Sequence, residues 1–156
     1  MTKLREEVSI EAPVERVWAV VHEDLKNAPK WSSTLQKATL LDGPRAVVGK
    51  GSAIRYDLKL PAWKGSIETE VKTWTPLRKC AGVFTDGPLE GEWAYTYSHR
   101  AGVTKLVYEM DYRLRGILRL LGGALAGQYA AGIRAQMAAL KKYVESGKGP
   151  KASNTP

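Results

Sequence analysis

Apolar and polar positions alternate along most of the chain up to Leu114, then recur at spacings of three and four. Leu4, Val8 and Ile10 share a parity with Glu6, against Arg5, Glu7, Ser9 and Glu11, which predicts a first strand. "APVERVWAVV" follows, with Pro13 where a first helical residue is welcome, Glu15 in the first turn, and Val14, Val17, Trp18 and Val21 on one face. A short amphipathic helix is expected there. "HEDLKNAPKWSS" reads as irregular or as a second short helix ending at Trp31.

Between Leu35 and Leu114, turn markers at Asp42-Gly43-Pro44, Gly49-Lys50-Gly51, Asp86-Gly87-Pro88 and Ala101-Gly102 separate period-two runs, the signature of consecutive antiparallel strands. Ile54, Tyr56, Leu58 and Leu60 fall on one face, Arg55, Asp57 and Lys59 on the other. Ile67, Thr69, Val71 and Thr73 oppose Glu68, Glu70 and Lys72. Trp93, Tyr95, Tyr97 and His99 oppose Glu92, Ala94, Thr96 and Ser98. Leu106, Tyr108, Met110, Tyr112 and Leu114 oppose Val107, Glu109, Asp111 and Arg113. One face of the sheet is therefore apolar and aromatic, the other charged.

The last periodic element runs from about Ile117 to Glu145. Leu118, Gly122, Leu125, Tyr129, Ile133, Met137, Leu140 and Val144 cluster on one side of a long helix that is able to cover the sheet. Within it, "LGGALAGQYAAGI" contains four glycines, each costing a helix about 1 kcal/mol relative to alanine. Three explanations stand open: the missing side chains leave a cavity, Gly122-Gly123 separates Ile117–Leu121 as a movable lid, or the helix lies close to the sheet backbone. After Ser146, "GKGPKASNTP" has nothing to bury and is expected to be a flexible tail, so the chain divides into one domain, 1–146, and a tail, 147–156.

Composition narrows the class. At 156 residues, 44% hydrophobic and 26% charged, the chain suits one globular domain with a substantial core. Its longest apolar stretch, Ile117 to Ile133, is interrupted by Arg119 and Gln128 and diluted by glycine, which argues against a membrane span. "MTKLREEVSIEA" carries glutamates where a secretory signal needs an apolar centre, so a cytoplasmic location is expected. Cys80 is alone, which rules out an internal disulfide and a cysteine cluster. The net charge of +8 is uneven: from Tyr112 to Val144, Arg113, Arg115, Arg119, Arg134, Lys141 and Lys142 meet no acid. That segment is either a solvated helix face or a surface for peripheral contact with an anionic membrane. Nucleic acid is not an expected partner, because no reading motif accompanies the charge.

The order of elements, with "IEAPVERVWAVV" from Ile10, "PKW" at Pro29–Trp31, "GKGSAIRY" from Gly49, "VKTWTP" from Val71, "EWAYTY" from Glu92 and "AGVTKLVYEMDYRLRGILRLL" from Ala101, resembles the START-like or SRPBCC superfamily, in its polyketide cyclase/dehydrase and lipid-transport branch. The resemblance implies an α+β helix-grip fold: a curved antiparallel sheet of about seven strands wrapped around the C-terminal helix, with two short helices after the first strand. It further implies a deep cavity where sheet and helix part. Small residues should line the parted end, which makes the glycine-rich first half of the helix a candidate cavity wall.

Candidate ligand-binding residues follow from the aromatic face and the helix: Trp31, Tyr56, Trp93, Tyr95, Tyr97, Tyr108, Met110, Leu121, Leu125 and Tyr129. Apolar walls with a few hydroxyls are what small-molecule sites usually present. Acid–base chemistry needs a titratable group facing the guest. The carboxylates at Asp57, Glu68, Glu70, Glu92, Glu109 and Asp111 all alternate away from the aromatic side. His99 shares its parity and is the best single candidate, although it sits beside a turn; His22, at a helix end, reads as a favourable C-terminal cation. Thr69, Gln128 and Gln136 complete the polar choices. No metal set, nucleophile motif or phosphate loop appears, so no cofactor is expected and no catalytic residue is assigned. Two functions remain: binding or transport of a hydrophobic small molecule, lipid or polyketide-like, and, alternatively, a polyketide aromatase/cyclase or dehydrase acting in the same cavity.

Overall fold

Seven strands form a single antiparallel sheet in the order β1-β7-β6-β5-β4-β3-β2. The computed structural model describes residues 2–43, 46–61, 63–120 and 122–150, with only the backbone of Ile117, Gly122 and Leu125. The strands are β1 (Thr2–Ile10), β2 (Leu35–Leu40), β3 (Ala53–Leu60), β4 (Trp63–Thr75), β5 (Lys79–Asp86), β6 (Leu89–Arg100) and β7 (Val103–Leu114). After β1 comes α1 (Val14–Trp18), which continues as a π turn (Ala19–Glu23) and a 3-10 helix (Leu25–Lys30). A second 3-10 turn (Gly116–Leu120) precedes the long helix α2 (Gly122–Glu145). The fold is the helix-grip fold, and α2 meets β1 at one margin of the sheet and β3 toward the other, as a sheet curled around a rod requires.

The alternation along each strand decides which face meets the helix. In β7, Thr104, Leu106, Tyr108, Met110 and Tyr112 are buried while Lys105, Glu109 and Arg113 are exposed. Burying a large apolar side chain is worth roughly 1.5–3 kcal/mol, so a slip of one residue would exchange those faces at prohibitive cost. The β6–β7 turn holds register: Ala101 and Gly102 both take positive φ, 52° and 78°, as a two-residue hairpin loop twisting with its strands demands. The parity of β1 also has a use at its polar position, where Glu6 pairs with Arg134 of α2 at 3.1 Å.

Register shifts occur in β4 where it pairs with β5, between Glu68 and Thr69 and between Val71 and Thr73. The second inserts one residue and reverses the parity beyond it. Trp74 thereby turns inward and packs edge-on against Trp18 at 5.0 Å, although simple alternation assigns the inner face to Thr73. Two turns escape the glycine markers: the β3–β4 connection at Pro61, and the β4–β5 connection, where Leu77 adopts φ 68°. Strand β5 was accordingly not resolved by pattern alone.

Helix α2 is anchored by its second half. Ile133, Met137, Leu140 and Val144 are buried, Arg16 donates to the Val144 carbonyl at 2.7 Å, and Glu145 accepts from the Glu11 amide at 2.8 Å. Its first half is different: a Cβ placed on Gly123 or Gly127 would meet nothing within 4 Å. These glycines face open space and not a cavity, which corrects the expectation that they form its wall. Gly132 is the one described helix glycine held close, 3.3 Å from Thr34. Gly122 and Gly123 lie inside α2, and the 3-10 turn Gly116–Leu120 precedes it. No described helix is long and apolar enough to cross a membrane.

Candidate functional site

Where the curled sheet leaves the second half of α2, a cavity of about 80 Å³ opens in the middle of the core. Three layers enclose it. The sheet contributes Tyr56, Ile67, Phe84, Trp93, Tyr95 and Tyr108; α2 contributes Tyr129, Ile133 and Gln136; and the segment after α1 closes the remaining side with Leu25, Ala28 and Trp31. Each sheet residue stands on the inward parity of its strand, and Phe84 does so on the strand that the pattern missed.

The polar groups of this cavity are phenols, a hydroxyl and an amide. Tyr108 of β7 and Tyr129 of α2 both line this space, and the Tyr95 and Tyr108 rings lie 4.5 Å apart. Burial holds the phenols of Tyr56, Tyr95, Tyr108 and Tyr129 above their ordinary range. They are neutral donors at physiological pH, suited to polarising a carbonyl and unsuited to carrying protons. Thr69 donates to the Ile54 carbonyl at 3.4 Å. Ser32 donates to Gln136 Oε1 at 3.2 Å and so ties the loop before β2 to α2 at the cavity edge. Trp93 Nε1–H is buried with no partner among the described residues.

Of the residues singled out from sequence, Trp31, Tyr56, Trp93, Tyr95, Tyr108 and Tyr129 converge on this space. Tyr97 is inward but lies behind it, and Met110 is buried between β1 and β6 without lining it. Leu121 lies outside the described residues, as does the side chain of Leu125. Among residues that pattern reading did not select, Leu25, Ala28 and Leu35 come from irregular or edge segments, where no period marks a facing side. Ile133 was visible as helix core and its exposure to a cavity was not.

The two histidines reverse their expected roles. His99 is exposed at the end of β6, away from the cavity. His22 is buried, because the π turn after α1 rotates it inward against Trp18, Trp74, Tyr95 and Tyr97. Burial pushes its pKa down to about 3, and Tyr97 Oη lies 2.7 Å from its Nε2, within hydrogen-bond distance of the neutral imidazole. A helix-end cation is therefore ruled out. No cluster of three histidine, cysteine or acidic side chains suited to a metal occurs among the described residues.

The basic C-terminal third is largely paired, with acids of other elements and of α2 itself. Arg113 pairs with Glu90, Arg134 with Glu6 and Lys141 with Glu145, while Arg115 donates to the Gly87 carbonyl.

Residues 1–145 match the family model described as polyketide cyclase / dehydrase and lipid transport. No curated protein matches the chain. Among solved structures, a Thermus thermophilus protein, TTHA0849, superposes with a TM-score of 0.78 at 17% identity, covering 95% of this chain and all of the other. The Zhui aromatase/cyclase from a Streptomyces species gives 0.72 at 15% identity over 96% and 99% of the two chains. A START superfamily protein from Mycobacterium smegmatis gives 0.65 at 15% identity over 88% and 98%. At such identities the structures speak for a shared fold.

Proposed function

Because the chain belongs to the polyketide cyclase/dehydrase and lipid-transport family, we propose that it binds an apolar, ring-bearing small molecule with an oxygen acceptor in the cavity between sheet and α2. The observation that carries this reading is the cavity's composition: aromatic and aliphatic walls carrying neutral phenols in the core. An apolar core without a ligand role would gain by filling that space, since each Å³ left empty costs about 24 cal/mol. Binding is favoured over catalysis because the titratable groups lining the cavity are tyrosines with raised pKa values, and neither histidine reaches it. A ketone would be held and polarised; no group is poised to exchange protons with it near neutral pH. The single cysteine suits a reducing, cytoplasmic setting, and the ion pairs that Arg113 and Arg134 make with Glu90 and Glu6 favour a solvated face over a membrane surface.

At about 80 Å³ the cavity is smaller than the dry space of about 150 Å³ that admits benzene in an engineered protein, so a fused-ring guest enters only as lining side chains move. Calorimetric titration with 2-acetylnaphthalene tests the reading. Saturable one-to-one binding is expected, weakened ten-fold or more in Ile133→Trp, which fills the cavity from α2. Equal binding by that variant, with its circular dichroism unchanged, would place the site elsewhere. Turnover of a poly-β-ketone mimic that is lost in Tyr95→Phe would instead favour the cyclase reading.

A further inference from the structure

Beyond Tyr129, toward the start of α2, lies a second void of about 20 Å³ bounded by Leu60, Trp63, Leu89, Leu114 and Leu118. It shares two walls with the main cavity, Ile67 and Tyr129. The two spaces adjoin at these two residues, with Tyr129 on the α2 side. Their chemistry differs: phenols, Thr69 and Gln136 edge the first, while the second presents carbon alone.

We propose that the ligand site continues past Tyr129 into this second chamber, and that the molecule it takes carries an alkyl tail on its ring-bearing body. The proposal rests on the binding reading of the main cavity and adds a tail to the ligand class. Three observations support it. Leu60 and Leu118 form a small apolar cluster of their own, outside the main core, with Trp63, Leu114 and Tyr129 packed against it. Leu118 caps the chamber from the 3-10 turn Gly116–Leu120, which opens on a left-handed Gly116 at φ 64° and leaves Leu120 85% exposed. In the first two turns of α2, Gly123 and Gly127 have open space beside them. A cap carried on a single 3-10 turn beside an exposed Leu120 can shift aside at low cost, because local opening is cheapest where buried contacts are few. An apolar tail is the occupant that loses least on entering a chamber without hydrogen-bonding groups, whereas a polar extension would forfeit its hydration there.

A series of 4-alkylphenols, from ethyl through butyl to hexyl, separates the two chambers. Affinity for the full-length protein, measured by calorimetry, should rise two- to four-fold per added methylene until the second chamber is full. Leu118→Trp, which blocks the chamber, should leave 4-ethylphenol binding within two-fold and weaken 4-hexylphenol ten-fold or more. Ala126→Leu fills the same space from α2 and should reproduce the effect if the first variant folds poorly. A flat dependence on chain length, or equal losses for short and long phenols in both variants, would overturn the proposal while leaving the main cavity's role intact. Failure of 4-ethylphenol itself to bind would overturn the binding reading, and this extension with it.

Discussion

His22 shows how much one residue's setting can hide. In the folded protein the imidazole stays neutral down to about pH 3, whereas in the unfolded chain it takes up a proton near pH 6.5. Below that pH the unfolded state binds more protons, so stability falls as pH drops from about 6.5 toward about 3, by roughly 1.4 kcal/mol per unit. Between pH 6.5 and pH 5 the loss from this group should be about 2 kcal/mol, and His22→Phe should abolish that part of the slope in guanidinium melts at the two pH values. An unchanged slope would contradict a buried neutral histidine. At Gly82 the constraint is steric: a Cβ there would collide with the Glu70 carbonyl and press on Trp93. Gly82→Ala should cost 1–3 kcal/mol or more, because a carbonyl inside a sheet cannot step aside. Neither demand is written in local sequence. His22 is turned inward by a π turn that no spacing announces, and Gly82 is required by a partner strand residue whose indole covers it.

At the scale of elements, the inserted residue in β4 and the glycines of α2 carry the most information. Removing Lys72 from β4 would delete the inserted residue yet leave Thr73 opposite Ala81 and Trp74 opposite Cys80, so Trp74 should stay against Trp18 and His22 and the melting temperature should change by only a few degrees; a sharp fall would contradict this register. In α2, Gly123→Ala and Gly127→Ala meet no obstacle and should each stabilise the protein by about 0.5–1 kcal/mol, a gain of a few degrees in Tm. A loss at either position would mean that the glycine is held against something. Strands β3, β6 and β7 were legible because strict alternation runs through them unbroken and a hydrophobic face enforces it. Strand β5 was not, since it is bounded by a turn at Leu77 that lacks glycine and its inward face is Cys80, Gly82 and Phe84, too mixed to stand out. The helix was legible in length, but the purpose of its glycines was misassigned because a one-sided pattern cannot distinguish a face toward a cavity from a face toward solvent.

For the whole molecule, the helix-grip arrangement follows from geometry: a strongly curled sheet cannot touch a straight helix everywhere, and the core is left incomplete where they part. The large residues of α2 settle this at its C-terminal half, where Met137, Leu140 and Val144 fill the contact. Ahead of them the space is walled by aromatic rings and left open. The family and the fold were readable from the order and spacing of elements. The depth of the cavity was not, since its floor is assembled from irregular segments around Leu25 and Ala28 whose positions depend on the finished fold. The same openness carries a stability cost that a ligand would offset, so an apolar guest should raise Tm in proportion to the logarithm of its concentration.

Isotope-filtered nuclear Overhauser spectroscopy on protein saturated with 2-acetylnaphthalene locates the guest directly. The account predicts cross-peaks from the naphthalene ring to the methyls of Ile67 and Ile133 and to the ring protons of Tyr95 and Tyr108. Cross-peaks confined to outward residues such as Val83 or Leu120 would contradict it.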